Sequence, residues 1–397
     1  MPPTLVRYWA SFLKSERHGA RIAAYFTRSA AEGWRQILVC EREPDDAVWA
    51  EPLRRLGVEM TFLPRARGNF DARCAARTLA LCRRERPDIF HCDNTHTSPL
   101  IGAWLAGVPV RLWTKHAMEP AFETGSQPGF RDRLAISLRV STRLATRTLP
   151  ISEAMRQELV DKGIAPSRLH LLHLPVEAPS SARPSHRDAR ARLGYAAADL
   201  VILAIGRAAP VKGWDILLRA FATVHAQNPS TRLLLVGGVD APDERAVHAG
   251  MQQFIDARRL DPFVRFTGRL PDIADALRAA DLFVLPSRAE GYALALVEAL
   301  RAGLPCIASS SVAGAPELIA HGRNGLIFPR EDEAALSHMI LDLAADPARM
   351  REMAAAASRD VAVPTLAEHS DALYRLYSSL LYATRSRRAT APASPPS

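Results

Sequence analysis

The sequence predicts an α/β protein made of two doubly wound domains, each a parallel sheet covered by helices on both faces. Three observations carry that prediction. The 397 residues exceed what one core covers comfortably, and two domains of roughly 180 residues are the natural division. Short apolar runs alternate with segments of helical periodicity and Gly/Pro punctuation, the rhythm of a parallel sheet. The runs are also continuous rather than alternating in polarity, as in "LVILAIGR" (200–207), which marks strands buried on both faces.

Taken in order, the first-half strands are expected at 4–12, 36–40, 58–64, 88–92, 110–116 and 146–152, with helices over about 20–32, 71–85 and 97–106. Residues 1–175 form the first domain. Residues 176–192, rich in Pro and Ser, read as a linker running into a short polar helix. The second domain, 193–362, has strands at 200–207, 232–238, 264–268, 281–286 and 305–309. Helices fall at 214–226, 243–258, 273–280 and 293–303, the last closed by Gly303. A C-terminal helix over 363–383 is expected to return toward the first domain, and 384–397 to be a disordered tail. Ligands of such sheets sit beyond the carboxyl ends of the strands, so a cleft between the domains is the expected working site.

Composition narrows the class. Hydrophobic content of 48% and 23% charged residues are those of a globular protein. No stretch approaches the ~20 apolar residues of a bilayer-spanning helix; Ser98 to Val110 is short and broken by Pro99 and Pro109. No secretory signal is read at the N-terminus, and five cysteines without a C-x-x-C spacing fit reduced thiols in a cytoplasm. The net charge is +9, and residues 1–175 hold 26 of the 51 Lys+Arg but only 18 of the 42 Asp+Glu. A basic first half implies an anionic partner there. No aromatic-interleaved basic surface is present, so nucleic acid is not expected.

The segment "EGYALALVE" holds two acids, Glu290 and Glu298, around seven uncharged residues. Glu290 follows a buried strand, and Gly291 is read as opening the next helix, where unpaired amides favour negative charge. On one continuous helix Glu298 would lie about 12 Å along the axis from Glu290. That separation suits a ligand with hydroxyls at both ends and a charged bridge between them, as in a nucleotide sugar. A helix-start acid plus a rim acid is the plain alternative. In "IGRAAPVKGWD" (205–215), Gly206, Arg207 and Lys212 stand at a strand-to-helix turn and can clamp a diphosphate; a solvated turn explains the same letters. No G-x-x-x-x-G-K-[ST] loop, D-x-D triplet or His/Cys cluster occurs, so no metal is expected.

"GRAAPVKGWDILLRAF", "LLLVGG", "VRFTGRLPDIADALRAADLFVLPSRAEGYALALVEALRAGLPCIAS" and "GAPELIAHGRNGLIF" together resemble the C-terminal domain of glycosyltransferase family 4. These are retaining enzymes of the GT-B fold, with two Rossmann-like domains. "RPDIFHCDN", "VRLWTKH" and "LPISEAMRQELVDKGI" resemble the family's N-terminal domain. The resemblance implies that Glu298 holds the donor ribose and Glu290 meets the transferred sugar. Arg207 and Lys212 would neutralise the diphosphate, helped by amides of Gly291, Tyr292, Ala293 and Leu294. The nucleobase would lie at the strand end around Gly268, Arg269 and Leu270, and His116 would stand near sugar and acceptor. Gly19 falls where the family has a glycine-rich loop beside the phosphates.

Departures are visible: one glycine rather than a pair around Gly19, "HLPVE" (173–177) in place of a Pro-Asn-Gly turn, and "GAPE" (314–317) in place of a Gly-Gly pair. Glu317 reads either as a site residue or as a helix-start acid. The expected donor is a nucleoside-diphosphate sugar, UDP being the preferred form. The expected acceptor is a glycan or lipid-linked intermediate of the cell envelope. Over 130–147, Arg139, Arg143 and Arg147 run beside Ile136, Val140 and Leu144, which suits either an anionic membrane surface or solvated arginines over a packed face. Two other readings remain: a sugar-nucleotide epimerase or hydrolase on the same fold, and a non-catalytic binding module.

Overall fold

Twelve strands form two separate sheets in the computed structural model, which describes residues 2–9, 16–41, 48–93, 96–116, 130–176, 185–270 and 272–389. The first sheet contains β1 (Thr4–Trp9), β2 (Arg35–Cys40), β3 (Glu59–Phe62), β4 (Ile89–Asp93), β5 (Val110–Lys115) and β6 (Arg147–Pro150), in the order β3-β2-β1-β4-β5-β6. The second contains β7 (Leu200–Ile205), β8 (Thr231–Val236), β9 (Val264–Phe266), β10 (Leu282–Leu285), β11 (Cys306–Ser309) and β12 (Gly325–Phe328), in the order β12-β11-β10-β7-β8-β9. Every pairing is parallel. Each order reverses once, at β1/β4 and at β7/β10, and those reversals are where doubly wound sheets bind ligands. Both sheets are the α/β architecture of the GT-B fold.

One compact unit takes the described residues up to Pro175 together with those from Pro364; the other takes the described residues of Val176–Val363. In the first, Leu5, Leu38, Ile89, Val110 and Leu112 face a core closed by Leu373, Leu376, Tyr377 and Leu381 of the C-terminal helix Leu366–Ala389. In the second, β7, β8 and β10 bury Ile202, Leu233, Leu235 and Val284 against Trp214, Leu217, Phe221 and Val224 of the helix Trp214–Gln227. The spacing of those four helical side chains is the periodicity that one buried face requires.

Several elements differ from expectation. The helix expected over 20–32 is two, Glu16–Ala24 and Thr27–Ala31, because Tyr25 and Phe26 turn inward and their amides bond Ile22 and Ala23 three residues back. The short polar helix expected at the end of the linker is present as His186–Leu193, anchored by buried Arg190, whose Nε donates to the Ala279 carbonyl at 3.1 Å and which pairs with Asp281. The C-terminal helix continues to Ala389, so 384–389 are helical rather than tail, and 390–397 lie outside the described residues. Strand β12 pairs with β11 and completes a sixth strand that the apolar runs had not marked. All five cysteines are buried thiols outside any disulfide, and burial pushes the Cys40 and Cys82 thiols up to about 12. No described helix is long and apolar enough to cross a membrane.

Candidate active site

Three loops converge beyond the carboxyl ends of β7, β8 and β10, and glycines let them approach. A Cβ on Gly237 would stand 1.3 Å from the Gly206 carbonyl oxygen, and one on Gly213 would stand 2.1 Å from that of Pro286. Gly213 also sits at φ +63°, which a side chain disfavours, and begins the helix Trp214–Gln227. Gly206 faces the aliphatic stem of Lys212, its Cβ position 3.3 Å from Lys212 Cδ. The stem is therefore packed along backbone, and the short turn Pro210–Lys212 delivers the ammonium to Glu290.

Lys212 Nζ donates to Glu290 Oε1, and the same oxygen accepts from the buried Ser287 hydroxyl at 3.0 Å. The side chains are 21% and 16% exposed, so the pair is half-desolvated and still reachable. Arg288, two residues before Glu290, donates to Asp215, Glu331 and the Pro210 carbonyl. Burial would raise the Asp215 carboxyl, but the Arg288 hydrogen bonds outweigh it and hold the group below its ordinary value.

Arg207 lies at the mouth, 55% exposed, and its Nη1 donates to Glu244 at 2.5 Å. Glu244 is buried and also accepts from the amides of Asp240 (2.8 Å) and Ala241 (3.1 Å) at the start of the helix Pro242–Arg258. Burial raises its carboxyl, yet those amides and Arg207 bring it below the usual value, so it is an anion that orients Arg207. Arg269 pairs with Asp240 at 2.5 Å, while the Gly237 amide donates to the Gly268 carbonyl, drawing the loop with Leu270 toward the same strand ends.

Glu290 is not part of the helix that carries Glu298. That helix is Leu294–Arg301, with Ala293 as its first flanking residue, so Gly291 and Tyr292 precede it rather than open it. The Glu290 backbone instead bridges Val312 and its carbonyl accepts from the Ala313 amide at 3.1 Å. The cause is Tyr292: its buried ring packs where Gly314 leaves room, the Gly314 Cβ position lying 3.2 Å from Tyr292 Cδ2, and this directs the chain inward before helical turns begin. The axial separation calculated for one continuous helix therefore does not apply. Glu298 is half-buried on its helix, and Ala293 is buried.

His116 follows β5 in the other unit. Its Nε2 lies 3.4 Å from Asp93 Oδ1, and its ring meets Trp9 edge-on at 5.9 Å. Asp93 is buried and accepts from Arg7 Nε at 2.5 Å and Nη2 at 3.1 Å. Burial alone would raise the Asp93 carboxyl; the Arg7 guanidinium outweighs this and holds it well below the usual carboxylate range. Beside it, buried His91 is neutral, lowered to about 3 chiefly by desolvation, and joins Tyr377 Oη (2.6 Å) to Thr114 Oγ1 (2.7 Å). Gly19 is not in a loop. It lies inside the helix Glu16–Ala24, where a Cβ would stand 1.8 Å from the Trp49 carbonyl oxygen, so close packing explains that glycine. The loop expected around Gly19 is therefore a helix.

The structure thus unites Lys212, Glu290, Gly206 and Arg207 and adds Ser287, Arg288, Asp215 and Glu244, which sequence reasoning had passed over. Glu244 had a signal, since an acid at the third helical position bonds back to the helix start. Among the described residues no group of three His, Cys, Asp or Glu side chains could hold a metal ion.

Residues 15–178 match the family model described as Glycosyltransferase Family 4, and residues 199–346 match that described as Glycosyl transferases group 1. A D-inositol 3-phosphate glycosyltransferase of Catenulispora acidiphila is 30% identical over 386 residues, covering 91% of this chain and 87% of the relative. The chain belongs to glycosyltransferase family 4. A second relative, the D-inositol 3-phosphate glycosyltransferase of Thermobispora bispora, is 31% identical over 307 residues, covering 72% of this chain and 69% of its own. The fold agrees with that of Anabaena HepE solved with UDP, at TM-score 0.77 and 18% identity over 95% of this chain and all of the other. WaaG, described as a glycosyltransferase involved in lipopolysaccharide biosynthesis, superposes at TM-score 0.70 and 18% identity over 94% and 99% of the two chains. This family 4 chain is therefore a glycosyltransferase.

Proposed function

We propose that the chain transfers a hexosyl group from a UDP-sugar to an acceptor hydroxyl, retaining the anomeric configuration and needing no metal. The observation that carries this reading is the Lys212–Glu290 pair at the reversal of the second sheet, with Arg207 held alongside by Glu244. A diphosphate that takes the Lys212 ammonium releases the Glu290 carboxylate to accept from sugar hydroxyls, so one event charges both partners for their roles. Arg207 and Lys212 stabilise the leaving diphosphate as the bond to the anomeric carbon breaks. The acceptor oxygen bonds that carbon on the same face, and its proton passes to the leaving phosphate oxygen. Glu298 holds the ribose, and the loop at Gly268 to Leu270 borders the base. HepE structures with UDP and with UDP-glucose support the choice of donor.

The test is ligand-induced stability. UDP at a hundred times its dissociation constant adds about 2.7 kcal/mol, which raises the melting temperature by roughly 5–10 °C for a domain of this size. Inorganic phosphate at the same concentration leaves it in place. A panel of nucleoside diphosphates in which UDP gives no shift rejects the donor.

The acceptor belongs, in this reading, to a glycan or lipid-linked intermediate of the cell envelope, met at the cytoplasmic face of the membrane. Supporting this, the helix Phe130–Leu144 leaves Ile136 52% exposed beside exposed Arg139 and Arg143, and Trp104 and Leu105 of the helix Ser98–Leu105 are exposed as well. Apolar side chains next to arginines suit anionic headgroups. Flotation with liposomes containing anionic phosphatidylglycerol should carry the protein upward at low salt and release it at high salt. Absence from the anionic liposome fraction at low salt removes the membrane from the proposal.

A further inference from the structure

We infer that Arg288 is a positioning residue that clasps the Lys212 turn to the Glu290 loop; the inference rests on the donor reading above. Every N–H of its guanidinium is used. Nε donates to Glu331 Oε1 at 2.6 Å and Nη2 to Glu331 Oε2 at 3.0 Å. Nη1 donates to the Pro210 carbonyl at 2.7 Å and to Asp215 Oδ1 at 2.8 Å, and Nη2 to Asp215 Oδ2 at 2.8 Å. The Arg288 backbone amide adds a bond to the Val211 carbonyl at 2.8 Å. One side chain, 19% exposed, thus ties together the turn that carries Lys212, the first turn of the following helix and the loop after β12.

With five donors engaged, Arg288 has none left for a ligand, so it acts through its neighbours. Two of its bonds fall on residues 210 and 211, immediately before Lys212, and its own backbone lies two residues before Glu290. Gly213 against the Pro286 carbonyl supplies the close contact that the clasp secures. Glu331 holds a left-handed backbone at φ 60°, a conformation in which a side chain is costly. Its carboxylate is what that position contributes. Lysine could not replace Arg288, because an ammonium lacks the planar fork that meets two carboxylates edge-on.

The test combines two measurements on the full chain. In hydrogen–deuterium exchange, Arg288→Ala should speed exchange at least tenfold in peptides covering 206–217 and leave β8 unchanged; unaltered exchange at 206–217 overturns the clasp. In UDP release from UDP-glucose, Arg288→Ala should lower turnover at least tenfold in the parent but less than twofold in a Lys212→Ala background. Equal losses in both backgrounds overturn action through Lys212. Should Arg288→Ala fold poorly, Arg288→Lys serves in both assays, with an intermediate defect expected and parental behaviour overturning the need for the fork. A parent protein that binds no UDP rejects the donor reading, whereas the exchange result needs no nucleotide and judges the clasp by itself.

Discussion

Lys212→Ala is expected to lower transfer at least a hundredfold while the protein stays folded. The stem of Lys212 lies along Gly206 and its ammonium meets Glu290 at a half-desolvated site, so the charge acts where water screens it poorly. Removing one preorganised donor to a developing anion typically costs 10²–10³ in rate, about 3–4 kcal/mol of barrier. The structural cost is smaller: Glu290 keeps the Ser287 hydroxyl and some access to water, so the loss stays below the roughly 3–5 kcal/mol of breaking a fully buried pair. The loss should fall on turnover more than on donor affinity, because charge builds on the leaving phosphate only as the bond breaks. Steady-state kinetics with circular dichroism on the same sample checks both halves. A variant within threefold of the parent takes Lys212 out of the mechanism.

Asp93→Ala should destabilise the first unit by about 3–5 kcal/mol, the usual cost of leaving one partner of a buried pair alone. Arg7 and Asp93 are 3% and 1% exposed, and no solvent can take over the guanidinium once the carboxylate is gone. Urea unfolding followed by exchange in β1 and β4 measures the effect; a loss under 1 kcal/mol means that water reaches Arg7. The pH dependence follows from the same groups. The folded Asp93 carboxyl is depressed, so its contribution is complete above the unfolded value near 4 and fades as the pH drops toward the folded one. His91 and His369, both lowered to about 3, are neutral when folded and protonate first in the unfolded chain, so stability begins to fall below about pH 6.5.

Much of this was readable from residues in a row. "LVILAIGR", "RLLLVGG" and "DLFVLP" are apolar on both faces, and only a sheet covered twice makes use of that, so the parallel α/β architecture followed from local pattern. Lys212 and Glu290 were singled out separately, and the fold brings them into one hydrogen bond across 78 positions. What stayed hidden depends on partners distant in the chain. Arg288 looks like any loop arginine until Asp215 and Glu331 surround it, and Arg207 like a free cation until Glu244 meets it from 37 residues away. The helix start at Leu294 was misplaced because Gly291 is a common opening residue, whereas the burial of Tyr292 that delays the helix depends on Gly314. Gly19 misled for a similar reason: Trp49, the cause of that glycine, is thirty positions on.

The first unit needs the end of the chain. Leu373, Leu376, Tyr377 and Leu381 fill the same core as β1 and β2, and Tyr377 bonds His91 on β4. During synthesis the opening sheet leaves the ribosome long before those four side chains exist, whereas the residues up to Val363 that build the other unit emerge sooner. The unit made first is thus the last to be sealed, and until then a greasy trough along its sheet stands open to chaperones.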